Sequence, residues 1–168
     1  NSKDRPTPER IRSEKWDYVV LQEQSSGAVD HYDEFMEYGQ KLVATIHEND
    51  PQTKAILYQT WGRCDGMFEG YGDDATRRDE VVAAWTKRYS APSEKVVERL
   101  KYGLQGGYGD LQKATDSMLA PVGKAFAKVG ETLDLYCYEE NQRPFHPNPN
   151  GTYLAGCVFF KTIWHESP

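Results

Sequence analysis

Apolar runs alternate with amphipathic stretches along the first third of this chain. The run Trp16–Gln22 is almost continuously apolar, which is typical of a strand covered on both faces, as in a parallel sheet. A 3.6-residue apolar period predicts a helix from Tyr32 to Glu48, and the pair Asp50-Pro51 should end it. The run Ala55–Gln59 predicts a second strand.

The rest of the chain has a weaker pattern, but strand and helix continue to alternate. The segment Gly103–Gly109 is rich in glycine and predicts a mobile surface loop. It is not a phosphate-binding loop, because no strand precedes it and no Lys-Ser or Lys-Thr pair follows it. The remaining predictions are a loop at Cys64–Asp74, helices at Ala75–Tyr89, Glu94–Tyr102, Leu111–Met118 and Ala125–Val129, and strands at Leu119–Val122 and Leu133–Tyr136. This alternation favours an α/β fold with a mostly parallel sheet.

The last predicted element is a helix that follows a proline-rich turn. Asn148 is a good N-cap, and Pro149 suits the first helical position. The run Tyr153–Phe160 is apolar on nearly every side, which predicts a buried helix. His146 lies in the turn just ahead of this helix, where it is either a general base or a turn histidine that only caps the helix.

Composition and charge exclude several classes of function. The chain has 168 residues, enough for a single domain with a real core, and a net charge of -6. Lysine and arginine are scattered without a basic stripe, so we expect no nucleic-acid partner. No apolar run approaches the length of a membrane span. The three cysteines show no CxxC spacing and the four histidines show no metal-ligand spacing, so we expect neither a disulfide scaffold nor a metal or other cofactor.

Polar side chains follow the predicted parallel strands at their carboxyl ends, which is where open parallel sheets bind ligands. Gln22 and Gln24 follow the first strand, Trp61 and Arg63 follow the second, and His146 follows later. The amides are potential oxyanion donors or ordinary loop residues. Trp61 either stacks on a sugar ring or covers the core, and Arg63 either binds an anion or is simply solvated.

Four segments of the sequence resemble one family, the SGNH (GDSL-like) hydrolases, and in particular a branch found in bacterial surface and secreted proteins. They occur in the family's order at Trp16–Ser25, Ile56–Trp61, Leu119–Phe126 and His146–Phe159. The resemblance covers most of the chain from Trp16 onward, apart from an inserted helical and glycine-rich region at about 64–110.

This resemblance implies a three-layer α/β/α, flavodoxin-like fold and a serine esterase activity on a small ester or an acylated carbohydrate. It implies that His146 is the catalytic base and that Gln24, with Gln22, lies in the oxyanion-hole block. It also favours an extracellular or extracytoplasmic location.

Two departures from the family pattern qualify the functional expectation. The family's nucleophile is a serine in a Gly-Asp-Ser block, which is absent from this sequence. We therefore expect a domain over residues 1–168 that lacks the first strand, the first helix and the nucleophile. Arg143 occupies the position of the family's aspartate, so Glu139 or Glu140 would have to orient His146 instead, with Glu140 as the candidate.

Two functional hypotheses remain open at this point. One is an SGNH-type ester hydrolase whose nucleophile, on a strand that completes the sheet, comes from another segment or a second chain. The other is a pseudo-esterase that binds a partner or serves as a structural subunit. Ser25 and Ser26 follow a strand but lack a Gly-x-Ser-x-Gly elbow, so neither is expected to be a substitute nucleophile.

Overall fold

The fold is taken from a computed structural model that describes residues 6–24, 27–61, 105–129, 133, 135–138 and 143–168. The predicted loop at Cys64–Asp74 and the predicted helices at Ala75–Tyr89 and Glu94–Tyr102 lie outside the described residues. The described elements, in chain order, are α1 Thr7–Ile11, β1 Tyr18–Leu21, α2 Gly27–Asp30, α3 Tyr32–Asn49, β2 Lys54–Tyr58, α4 Gln105–Thr115, β3 Met118–Ala120, α5 Val122–Val129, β4 Tyr136–Tyr138, β5 Arg143–Pro147 and α6 Pro149–Trp164.

The chain forms two compact units, of which the first comprises residues 1–59 and 106–120. Its sheet has the order β1-β2-β3 with both pairs parallel. Val19 lies opposite Ala55, and Leu57 lies opposite Leu119. The predicted parallel sheet is therefore confirmed for these three strands.

The two best-predicted strands differ in how well they are covered. In β2, Ala55, Ile56 and Leu57 are all buried. One face of β1 packs on a cluster of α1, α3 and β2 side chains, but Tyr18 and Val20 on the other face are 41% and 47% exposed. The prediction that the first strand is covered on both faces is wrong at these positions, because β1 lies at an edge of the described sheet.

The glycine-rich segment was expected to be a surface loop, and this expectation is wrong from Gln105 onward. α4 begins there, and it contacts Ala28 of α2 and Phe35 of α3 through Gly107 and Tyr108. A Cβ on Gly107 would lie 2.6 Å from the Ala28 carbonyl oxygen, so glycine allows close approach of the two backbones. Tyr108 is 1% exposed and meets the Phe35 ring edge-to-face at 5.1 Å between centroids. Burial of this side chain outweighs the low helix propensity of its glycine neighbours.

The second unit comprises residues 60–105 and 121–168. Its described part contains α5, α6 and an antiparallel pair, β4 and β5. The short strand predicted at Leu133–Tyr136 begins later than expected, since β4 spans Tyr136–Tyr138, and it pairs antiparallel with β5, with Tyr136 opposite Pro147. His146 lies in β5 rather than in a turn. Each strand of this two-stranded ribbon has one edge without a neighbouring strand. Proline lacks a backbone N–H, so β5 can contain prolines where the N–H would face that open edge.

The start of α6 is as predicted. The Asn148 side chain accepts a hydrogen bond from the Gly151 backbone N–H at 3.0 Å, and Pro149 is the first helical residue. The prediction that this helix is buried is wrong for much of its surface, since Tyr153 is 74% and Trp164 58% exposed. Within α6 the buried residues are Gly151 and Ala155. Among the described residues, no helix combines the length and apolar character that a membrane span requires.

Candidate functional site

In the first unit, the predicted site residues follow β1 at the carboxyl edge of the sheet. Gln22 and Gln24 follow β1 and are exposed to solvent. Gln59 extends β2 by one more backbone hydrogen bond, from its N–H to the Ala120 carbonyl at 3.1 Å. Because parallel strands end on the same side, the segments after β1 and β2 start from one edge of the sheet.

The segment that carries the two exposed glutamines is fixed by hydrogen bonds. The Glu23 backbone N–H donates to the Tyr108 hydroxyl at 2.8 Å. The Gln24 N–H donates to the Glu23 carboxylate at 2.7 Å, and the Gly27 N–H donates to the Gln24 carbonyl at 3.0 Å. The backbone of Gln24 is thus held on both sides, while its side chain remains exposed.

Tyr108 is a residue that the sequence interpretation missed. It lies three positions before Leu111, which is 2% exposed, so a helical apolar period through the glycines was the available signal. A second hydrogen bond to α4 runs from the Tyr32 hydroxyl of α3 to the Asp110 carboxylate at 2.9 Å. α4 therefore contacts the candidate oxyanion segment through Tyr108 and the α3 helix through Asp110.

Replacing Tyr108 with phenylalanine is expected to loosen the Gln22–Gln24 segment while the core stays packed. The Glu23 N–H would lose its acceptor, at a cost of about 1 kcal/mol, which corresponds to roughly fivefold faster amide exchange by local opening. Hydrogen exchange of a peptide containing this segment measures the effect. Tyr32→Phe is the matched control, since it removes the bond to Asp110 and should leave the segment's exchange unchanged. Equal exchange in wild type and Tyr108→Phe would contradict the assignment.

In the second unit, Trp61 stacks on a buried ring. Its indole lies 5.2 Å from the Phe126 ring between centroids at an interplanar angle of 21°. Phe126 is 1% exposed, whereas Trp61 is half-buried. Trp61 is thus fixed by the core and keeps part of its surface open, so stacking on a ligand and covering the core are both compatible with its position.

Phe126 also connects Trp61 to the segment that carries His146. A Cβ on Gly151 would lie 3.0 Å from Phe126 Cζ, 2.9 Å from the Pro147 Cβ and 2.3 Å from the Leu135 carbonyl oxygen. The Asn148 N–H donates to the same Leu135 carbonyl at 3.0 Å. His146 itself is exposed to solvent, next to this closely packed junction.

The other predicted site residues are not brought together with these by the described structure. Arg63 and Glu140 lie outside the described residues, as do Glu139, Ser25 and Ser26. Gln22 and Gln24 belong to the first unit, and Trp61 and His146 to the second. Within the described ranges, no group of three or more His, Cys, Asp or Glu side chains is arranged to hold a metal ion.

Comparison with known proteins identifies the fold. No protein-family model matches the chain. No curated protein matches it either. One similar solved structure is a protein from Slackia heliotrinireducens described as "a putative SGNH hydrolase", with a TM-score of 0.63 and 19% identity over 91% of this chain and 68% of that one. Another is a DUF4886 family protein from Bacteroides uniformis, with a TM-score of 0.61 and 18% identity over 95% of this chain and 54% of that one.

The chain has an SGNH-like α/β fold. The parallel sheet with flanking helices agrees with this assignment and with the resemblance found in the sequence. Likeness at this level of identity shows the SGNH-like fold alone, and the chain spans about half the length of the Bacteroides protein. The catalytic roles of His146 and Glu140, and the binding roles of Gln22, Gln24, Trp61 and Arg63, stay predictions.

Proposed function

We propose that the chain is part of an SGNH-type ester hydrolase acting on a small ester or an acylated carbohydrate. The observation that carries this proposal is the SGNH-like fold, together with a solvent-exposed histidine at the junction of β5 and α6. In this proposal His146 is the general base and Gln24 is the oxyanion donor, with Gln22 beside it. Trp61 and Arg63 contact the substrate, and Glu140 orients the imidazole.

The proposed reaction is acyl transfer through a serine. The serine oxygen attacks the ester carbonyl carbon while His146 accepts its proton, and the carbonyl oxygen becomes an oxyanion that accepts a hydrogen bond from the Gln24 amide. The oxyanion collapses, the alcohol leaves with the proton from His146, and an acyl-enzyme remains. Water then attacks the acyl-enzyme and gives a proton to His146, which passes it to the departing serine oxygen, so that the acid and the free serine are released.

The serine in this proposal belongs to a segment outside these 168 residues. Support comes from the sequence, which contains no Gly-Asp-Ser block, and from the exposure of Tyr18 and Val20 on β1. An edge strand with exposed apolar residues favours pairing with a further strand. We propose that such a strand, from another segment or a second chain, pairs with β1 and brings the nucleophile.

Labelling with a fluorophosphonate probe tests the proposed hydrolase. The probe reacts with an activated serine, so we expect the full-length protein to be labelled and heat-denatured protein to remain unlabelled. The label should map, by peptide mass spectrometry, to a serine outside the present sequence. Absence of labelling in protein that is folded by circular dichroism would contradict the proposal.

A non-catalytic binding or structural subunit is the second candidate function. Two observations favour it, namely Arg143 at the family's aspartate position and the exposed apolar side chains of β1. This candidate predicts a stable complex through the β1 edge together with no labelling by the probe. A protein that is labelled and turns over ester substrates would exclude it.

A further inference from the structure

Four side chains form an apolar stripe along α6, which we call the α6 stripe. They are Tyr153, Cys157, Phe160 and Trp164. Tyr153 is 74% and Trp164 58% exposed, and the two residues between them are half-buried. Large apolar side chains that are exposed together along one face of a helix are typical of an interaction surface.

The α6 stripe is directed away from the residues that this helix buries. Those residues are Gly151 and Ala155, and each is two positions from Tyr153. Two positions in an α-helix correspond to a rotation of about 200° around its axis. Tyr153 and the positions that continue its face therefore point to the opposite side of α6, where a partner can reach them.

The α6 stripe consists of two pairs of neighbouring side chains, each spaced by one helical turn. The Phe160 and Trp164 rings stack with their centroids 5.0 Å apart at an interplanar angle of 28°. Tyr153 and Cys157 are also in contact, and the hydrogen bond between them raises the pKa of Tyr153. Contacts within each pair restrict side-chain rotation before a partner arrives, which lowers the entropy cost of binding.

The spacing of the α6 stripe is the same in both directions along the helix. Its members are four, three and four residues apart, which is the a/d spacing of a helix that pairs with another helix. Because this spacing reads identically from either end, a second α6 running in the opposite direction presents matching positions. Tyr153 then faces Trp164 of the second copy, and Cys157 faces its Phe160.

We infer that the α6 stripe is the interface of a homodimer, in which two copies of this chain pair antiparallel through α6. Charge favours a second copy as the occupant, because Lys161 is the one charged residue between Pro149 and Trp164. A helix that binds nucleic acid or an anionic lipid surface carries a basic face, which α6 lacks. An uncharged aromatic surface is matched by another copy of itself.

The size of this interface determines the affinity that we expect. The exposed parts of Tyr153 and Trp164 amount to roughly 300 Å² per copy. With the half-buried side chains beside them, pairing buries on the order of 1,000 Å² in total, which is small for a specific interface. The dimer should therefore be reversible, with a dissociation constant in roughly the micromolar range.

Sedimentation velocity of the full-length protein across the micromolar range gives the first test. Wild type should convert from monomer to dimer, and Trp164→Ala should associate roughly a hundredfold more weakly, because two-fold symmetry removes two contacts. Tyr38→Ala is the matched control, since Tyr38 is an equally exposed aromatic residue on α3, and it should associate as wild type does. A wild type that stays monomeric, or equal association of wild type and Trp164→Ala, overturns the proposal.

Two charge variants test the antiparallel direction. Tyr153→Glu and Trp164→Lys should each self-associate more weakly than wild type. In a mixture of the two, the new carboxylate faces the new ammonium at one end of the dimer, and the original Tyr153 and Trp164 meet at the other. The mixture should therefore associate at least roughly tenfold more tightly than either variant alone. In a parallel pair the two new charges could not meet.

A mixture that associates no more tightly than the separate variants overturns the antiparallel dimer. Neither test uses a residue of the candidate site or a measurement of activity. Failure of this interface and failure of the proposed hydrolase are therefore distinguishable, since the hydrolase is tested by fluorophosphonate labelling.

Discussion

Replacing His146 with alanine in the full-length protein is expected to lower ester turnover by about a thousandfold. A positioned general base contributes roughly 10²- to 10⁴-fold to such a reaction, and without it the serine oxygen attacks while still protonated. Initial rates on an activated acetyl ester measure the loss, with kcat and KM determined separately. We expect kcat to carry the effect, because the base acts in the transition state and does not bind the ester.

The stability of this variant should change little, because the His146 side chain is exposed. His165→Asn is the matched control. His165 ends α6 with φ of 58°, a left-handed conformation that asparagine tolerates, and its removal should leave turnover at the wild-type level. Turnover by His146→Ala within a few fold of wild type would remove His146 from the mechanism.

Replacing Gly151 with alanine is expected to destabilise the protein by about 3 kcal/mol and to disturb the His146 segment. Alanine would place a methyl group 2.3 Å from the Leu135 carbonyl oxygen and 2.9 Å from the Pro147 Cβ. The backbone oxygen cannot rotate away as a flexible side chain would. The first turn of α6 must therefore move, and the adjacent strand with Pro147 and His146 moves with it.

Gly156→Ala in the same helix is the matched control for this prediction. Apart from the neighbouring backbone of α6 itself, no atom of the described residues lies within 4 Å of a Cβ at Gly156, so alanine should stabilise α6 by about 0.5–1 kcal/mol through its higher helix propensity. Denaturant unfolding measures both variants. A Gly151→Ala protein as stable as wild type would show that the Leu135, Pro147 and Gly151 contacts are looser than described.

The sequence predicted the elements whose local signals agree with their packing. The period of α3, the apolar run of β2 and the Asn148-Pro149 start of α6 each appear in the structure close to the predicted limits. In each of these elements, the local sequence signal and the observed burial or capping favour the same structure. Periodicity and capping rules were therefore sufficient to predict them.

The failures occurred where a distant contact decides the outcome. α4 forms in spite of its glycines because Tyr108 is buried and Gly107 meets the Ala28 backbone. The apolar spacing from Tyr108 to Leu111 is visible in a local window, but the contact with Ala28 is not. The proline-rich segment around His146 suggested a turn. It forms β5 instead, because it pairs with β4, and the local sequence gives no sign of this pairing. An apolar run also does not show which face of a strand or helix is covered by other elements. Val20 in β1 and Tyr153 in α6 both belong to apolar runs and are both exposed to solvent.

The sequence suggested candidate site residues, and their roles stay predictions. Residue type and the rule for strand ends suggested Gln22, Gln24, Trp61 and His146 as candidates. The same rule gave no indication that the side chains of Gln59 and Thr60 find no hydrogen-bond partner among the described residues, because pairing depends on where neighbouring donors and acceptors lie. Tyr108 was missed because its role is a hydrogen bond to a backbone group 85 positions away in the sequence.

The order of strands in the sheet has a consequence for how the chain reaches its native state. Tyr18–Leu21 pairs with Lys54–Leu57 across the short connection formed by α2 and α3, whereas β2 has to find β3 across roughly 60 intervening residues. Closing the longer loop costs more chain entropy before any contact compensates for it. We therefore expect β1, α3 and β2 to assemble early as a kinetic nucleus, and the strand Met118–Ala120 to dock late.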